Sequence, residues 1–142
     1  IIDSILVVDI PGELSLKDYG ITNSNINTIS LISPTTTDDR VELIAKNSTG
    51  FIYYVNLRGV TGSSNLNIDE IKNNIQKIKK YSDLPTLAGF GIKSANDAKM
   101  LAECSDGVII GSSIVEMINE SANSKEFARI GEYLKEIKQA IS

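Results

Sequence analysis

Histidine is absent from the chain. That single gap removes His-based general acid–base catalysis, Ser-His-Asp triads and His-rich metal sites. Any chemistry must run on carboxylates, tyrosines, lysines or backbone groups. Cysteine occurs once, as Cys104, so no internal disulfide can form and no multi-Cys zinc site is possible; a reducing, cytoplasmic setting fits. No basic run is present and the formal net charge is −4, which argues against a nucleic-acid or anionic-membrane surface. No stretch approaches the roughly 20 apolar residues of a membrane-spanning helix, and no secretory signal is evident.

What is present is ordinary for a globular domain: 142 residues, 42% hydrophobic and 23% charged. Apolar, β-branched runs of strand length alternate with amphipathic stretches. Strands are expected at Ser4 to Asp9, Thr28 to Ser33, Phe51 to Leu57, Thr86 to Phe90 and Gly107 to Gly111. The runs are nearly continuous rather than alternating, the pattern of parallel strands buried on both faces. Helix starts are expected at Ser15 (with a stop at Gly20), at Thr36 with Asp39, at Asn67 with Glu70, at Ser94 with Asp97, at Ser112 and near Lys125. Their inward faces are read as Val41, Ile44 and Ala45, then Ile71, Ile75 and Ile78, then Ala98, Leu101 and Ala102. Ile114, Val115 and Ile118 follow, and finally Phe127, Ile130, Leu134, Ile137 and Ile141.

Five βα units suit either a doubly wound sheet or part of a (β/α)8 barrel. A whole barrel takes roughly 200 to 250 residues, so one domain over 1–142 is read as the C-terminal five of eight units. Ile1 and Ile2 run almost directly into a buried-type strand, and the N-terminal units are expected to be missing from the chain.

Three glycine clusters follow three successive strands: Gly59-Val60-Thr61-Gly62, Gly89-Phe90-Gly91 and Gly111-Ser112-Ser113. Glycine lets backbone N–H groups approach an anion closely. The helix opening at Ser112 adds unpaired donors and partial positive charge. One such cluster alone is a turn. Three in succession point to phosphate bound by backbone after the last strands, without Lys or Arg. The Ser112 hydroxyl is the next donor; considered alone it is equally a helix cap.

The segments Tyr53-Tyr54-Val55-Asn56-Leu57-Arg58-Gly59-Val60-Thr61-Gly62, Gly89-Phe90-Gly91-Ile92, Gly111-Ser112-Ser113-Ile114-Val115 and Ile2-Asp3-Ser4 leading to Asp9-Ile10-Pro11 resemble the tryptophan synthase α-subunit family. The resemblance runs over essentially the whole chain; Asn56 departs from it, standing where serine is expected. It implies a partial TIM barrel and a lyase that splits indole-3-glycerol phosphate into indole and glyceraldehyde 3-phosphate in tryptophan biosynthesis. By resemblance, Gly62, Gly91 and Gly111 with Ser112 hold the phosphate, and Leu31, Tyr53 and Phe90 line the indole pocket, although Leu31 and Phe90 also read as plain core. Residues 58–66 form a lid carrying Thr61, whose closure excludes water. The family's catalytic Glu and Asp fall upstream of Ile1, so the chain carries no catalytic residue, and Asp9 is read as solvated or capping.

The resemblance further implies no metal and no cofactor in this chain. Its partner is a β subunit that carries pyridoxal phosphate, joined in an α2β2 complex through the region around Pro11 and the lid. Five strands leave two edges unpaired, so self-association is expected. Two other functions stay open at this point. One is a phosphate-sugar barrel isomerase or epimerase, against which the missing histidines weigh and for which only Asp9 is well placed. The other is a non-catalytic half-barrel.

Overall fold

The computed structural model describes residues 2–8, 10–14, 16–20, 22, 25–55, 67–124 and 127–142. The expectations that fall on Asp9, on Ser15 as a cap, on Thr61 and Gly62 in the glycine-rich lid, and on Lys125 lie outside these residues.

Parallel strands β1 (Ser4–Leu6), β2 (Asn27–Ile32), β3 (Ile52–Val55), β4 (Thr86–Gly89) and β5 (Gly107–Val108) form one sheet in the order β1-β2-β3-β4-β5. A short 3-10 helix, Leu16–Tyr19, follows β1. Helices α1 (Asp38–Asn47), α2 (Ile68–Lys79), α3 (Ala95–Ala102), α4 (Ser112–Ser124) and α5 (Ala128–Ile141) complete the element order. Strictly sequential strand order is that of a barrel wall. A doubly wound sheet reverses direction at its switch point, so the order decides between the two architectures.

Strand alternation divides the side chains into two layers. Ile32, Ile52, Tyr54 and Ala88 are at most 2% exposed and face the helices, where they meet Val41, Ile44, Ile71, Ile75, Ile78, Ala98 and Leu101. Each large aliphatic side chain so buried contributes about 1.5–3 kcal/mol. The other face carries Leu31, Tyr53 and Leu87, in register across β2, β3 and β4 and only half-buried. Among the described residues burial on both faces is therefore incomplete.

The caps account for the helix starts, with one correction. The Ser94 hydroxyl accepts from Asp97 N (3.2 Å), and Asp97 Oδ2 accepts from Ser94 N (2.9 Å), a reciprocal capping box. The Asn67 side chain accepts from Glu70 N at 3.1 Å. Thr36 does not cap α1: its hydroxyl accepts from Ser33 N (3.0 Å) inside a turn, and the helix starts one residue later from Thr37, which makes no side-chain cap.

Three more expectations change. The first strand stops at Leu6 rather than Asp9, and Val7 and Val8 are 40% and 69% exposed; with β2 on one side only, the chain turns away toward Pro11, whose carbonyl takes Leu14 N at 3.0 Å. On α4, Val115 and Ile118 are exposed while Ser113, Ile114, Met117 and Ser121 are buried or half-buried. On α5, Tyr133 and Ile137 face inward and Phe127 and Leu134 outward. In α4 a hydroxyl displaces an aliphatic side chain from the interior because it finds an acceptor there.

Candidate functional site

The tips of β4 and β5 lie side by side. Ile109 N donates to Ala88 O at 2.8 Å and carries the ladder past the end of β5, which delivers Gly111 to the strand-end rim beside Gly91. Gly91 has φ +65°. An L side chain pays about 1–2 kcal/mol in that region, so glycine is required by backbone shape as well as by access. The loop it belongs to is fixed on the C-terminal side of the glycine: Ile92 is 2% exposed, and Lys93 N donates to Asp97 Oδ2 at 3.1 Å. Asp97, 3% exposed, is thereby engaged in holding the start of α3 and the loop before it.

Gly111 acts as the N-cap of α4. Its carbonyl accepts from Ile114 N (3.0 Å) and Val115 N (3.1 Å), and it has no side chain to satisfy the first-turn amides. Among the described residues, its chain neighbours aside, nothing lies within 4 Å of where its Cβ would be. Helices α1, α2 and α3 each place carboxylates in the first turn, whereas α4, like α5, places none there. Among the described residues neither a capping side chain at Gly111 nor a first-turn carboxylate competes for the amides of Ser112 and Ser113. That is the electrostatic condition for an external anion. Ser112 is exposed at this rim.

The two glycine segments are tied together by a residue the sequence reading did not single out. Ser113, 8% exposed, donates its hydroxyl to the Ile92 carbonyl at 2.6 Å, across 21 positions of sequence. The only sequence trace of this contact is the doubled serine at the start of α4. Tyr133 of α5 stands behind it. Burial raises its phenol above the ordinary value, the adjoining Ser113 hydroxyl opposes the shift, and the Asp97 carboxylate adds to it.

Leu31 and Tyr53 are direct register partners on the inner face, and Leu87 continues the row. The Tyr53 ring leans toward the strand ends and covers Gly89. A Cβ on Gly89 would lie 2.5 Å from Tyr53 Cε2, 2.5 Å from its hydroxyl oxygen and 2.9 Å from Cζ. Gly89 is therefore small because the ring occupies the volume above it. Burial raises the Tyr53 phenol above its ordinary value. Phe90 is not brought to Leu31 and Tyr53: it is 6% exposed, and its ring meets Tyr54 at 5.3 Å with planes tilted by 49°. Burial pushes the Tyr54 phenol up to about 12, the nearby Asn74 side chain opposing the shift.

The structure thus brings together Gly91, Gly111 and Ser112 at one rim, and Leu31 with Tyr53 beside it. Among the described residues no group of three or more His, Cys, Asp or Glu is arranged to hold a metal, and no helix is long and apolar enough to cross a membrane.

A family model described as "Tryptophan synthase alpha chain" matches residues 1–142. The chain is 41% identical to the tryptophan synthase alpha chain of Neisseria meningitidis serogroup B, covering 99% of this chain and 54% of that protein. It is 40% identical to the protein of the same name from Paraburkholderia phymatum, covering 99% and 52%. Among solved structures it resembles tryptophan synthase subunit alpha from Legionella pneumophila, with a TM-score of 0.80 and 32% identity over 98% of this chain and 52% of that one. The chain spans about half the length of the curated relatives it matches.

Proposed function

Since the chain belongs to the tryptophan synthase alpha chain family, we propose that it is the C-terminal portion of a lyase that cleaves indole-3-glycerol phosphate to indole and glyceraldehyde 3-phosphate. In this reading the phosphate rests on the amides at Gly91, Gly111 and Ser112, joined by Gly62. Leu31 and Tyr53 form walls for the indole ring, and burying a flat aromatic against them favours binding by area and stacking. In this reading Phe90, at the tip of β4 and packed on Tyr54, backs the same pocket. Thr61 belongs to a lid that shuts water out. A Glu outside this chain, in this reading, gives and takes the proton, an Asp outside it steadies the indole N–H, and no cofactor is needed here. The indole passes to a β subunit carrying pyridoxal phosphate in an α2β2 complex, in the cytoplasm. Apart from that partner, the edges of β1 and β5, unpaired among the described residues, favour self-association.

One observation carries the phosphate assignment: a helix start with a glycine cap and no first-turn carboxylate stands beside a glycine loop at φ +65°. Titration of the isotopically labelled chain with glycerol 3-phosphate tests it. The amides of Gly91, Gly111 and Ser112 should shift together, and an indole-bearing phosphate should bind more tightly than ribulose phosphates. The isolated chain should not cleave indole-3-glycerol phosphate. Shifts confined to other segments, or measurable cleavage, would overturn the assignment of roles.

A further inference from the structure

Resting on the phosphate reading above, we infer that Ser113 is a positioning residue that locks the two parts of the anion cradle into one rigid unit. The two parts come from different βα units, and their relative placement decides whether amides from both point at one anion. Backbone pairing between the two strands ends at Ile109 N to Ala88 O. Beyond that point the hydroxyl of Ser113, reaching the Ile92 carbonyl at 2.6 Å, is the described hydrogen bond between the Gly91 loop and the first turn of α4.

Three features fit a positioning role. The bond is buried, so water does not compete for either group. Ser113 sits in the first turn of α4, directly after Ser112, so its hydroxyl transmits any shift of the loop to the amides that face the ligand. The acceptor belongs to the residue after Gly91, so the bond restrains the flexible glycine from its C-terminal side, while Asp97 restrains Lys93 next to it. Ser113 itself presents its side chain to the interior and makes no direct contact with ligand through it.

The test compares the chain with Ser113→Ala, which deletes the bond, and Ser113→Thr, which keeps a hydroxyl. Amide exchange without any anion is read first. In Ser113→Ala the amides of Ile92 and Lys93 should exchange about five-fold to ten-fold faster, the effect of losing one buried hydrogen bond, while Ser113→Thr stays near the parent. Inorganic phosphate is then titrated. The parent should show Gly91, Gly111 and Ser112 moving with one dissociation constant; Ser113→Ala should raise it about five-fold and shrink the Gly91 shift relative to that of Ser112, and Ser113→Thr should restore both. Unchanged exchange and unchanged phosphate titration in Ser113→Ala overturn the inference and leave the phosphate reading standing. Absence of phosphate shifts in the parent removes the phosphate reading, and the positioning role with it, whatever the exchange rates show.

Discussion

Replacing Gly89 by alanine tests whether Tyr53 is held where the structure puts it. The new Cβ would lie 2.5, 2.5 and 2.9 Å from three Tyr53 atoms, its three nearest neighbours. Carbon–carbon contacts are comfortable at about 3.5–4.0 Å, so the ring must retreat by about 1 Å. Overpacking of this kind costs about 1–3 kcal/mol. An opposing term exists: Gly89 is not among the positive-φ glycines, and alanine in a compatible strand position stabilises by about 0.5–1 kcal/mol over glycine. The expected net loss is about 1–2 kcal/mol, read as a lower urea midpoint at unchanged slope. The reasoning turns on the second arm of the cycle. In a Tyr53→Ala background the clash vanishes, and Gly89→Ala should become neutral or stabilising by about 0.5 kcal/mol. Equal destabilisation by Gly89→Ala in both backgrounds would refute the account, since the cost would then have nothing to do with the ring.

Two further outcomes are expected. Asp106 links the sheet base to α2: it accepts from Lys79 Nζ (2.7 Å) and from Thr86 N (2.8 Å). Burial raises its carboxyl, but the Lys79 bond and the Thr86 amide outweigh that and hold it below the ordinary value. A carboxyl lowered in the folded state adds stability above its unfolded pKa of about 3.9, which is lost as pH falls through the folded value. Asp106→Asn should therefore be less stable than the parent at pH 7, with the gap closing below about pH 4 in urea melts; a gap that persists at pH 2 would contradict this. Gly91→Ala should lose about 1–2 kcal/mol for an L residue at φ +65° and should weaken phosphate binding in a titration; parent-like values for both would show that the loop adopts another shape.

Much of the layout was legible because it is written in short-range terms. The box at Ser94 and Asp97 is a contact between residues three apart, and Ile71, Ile75 and Ile78 mark one face by spacing alone. The same logic failed at Thr36, where two hydroxyl-bearing neighbours compete and the turn at Ser33 takes the hydroxyl that a cap would have used. It also failed for α4 and α5, where hydrophobicity pointed at Val115, Ile118 and Leu134, whereas the interior accepts Ser113 and Tyr133.

By itself the sequence determined the parallel βα repeat, the helix starts at Asn67 and Ser94, and the glycines at the strand tips, because periodicity and capping act within one or two turns of chain. Only the tertiary structure decided that the strands run in sequential order, that Tyr53 covers Gly89, that Phe90 turns to Tyr54, and that Ser113 reaches Ile92. The last three are meetings of particular residues, each joining segments more than 20 positions apart. They are fixed by register and packing between elements, for which local residue type carries no signal.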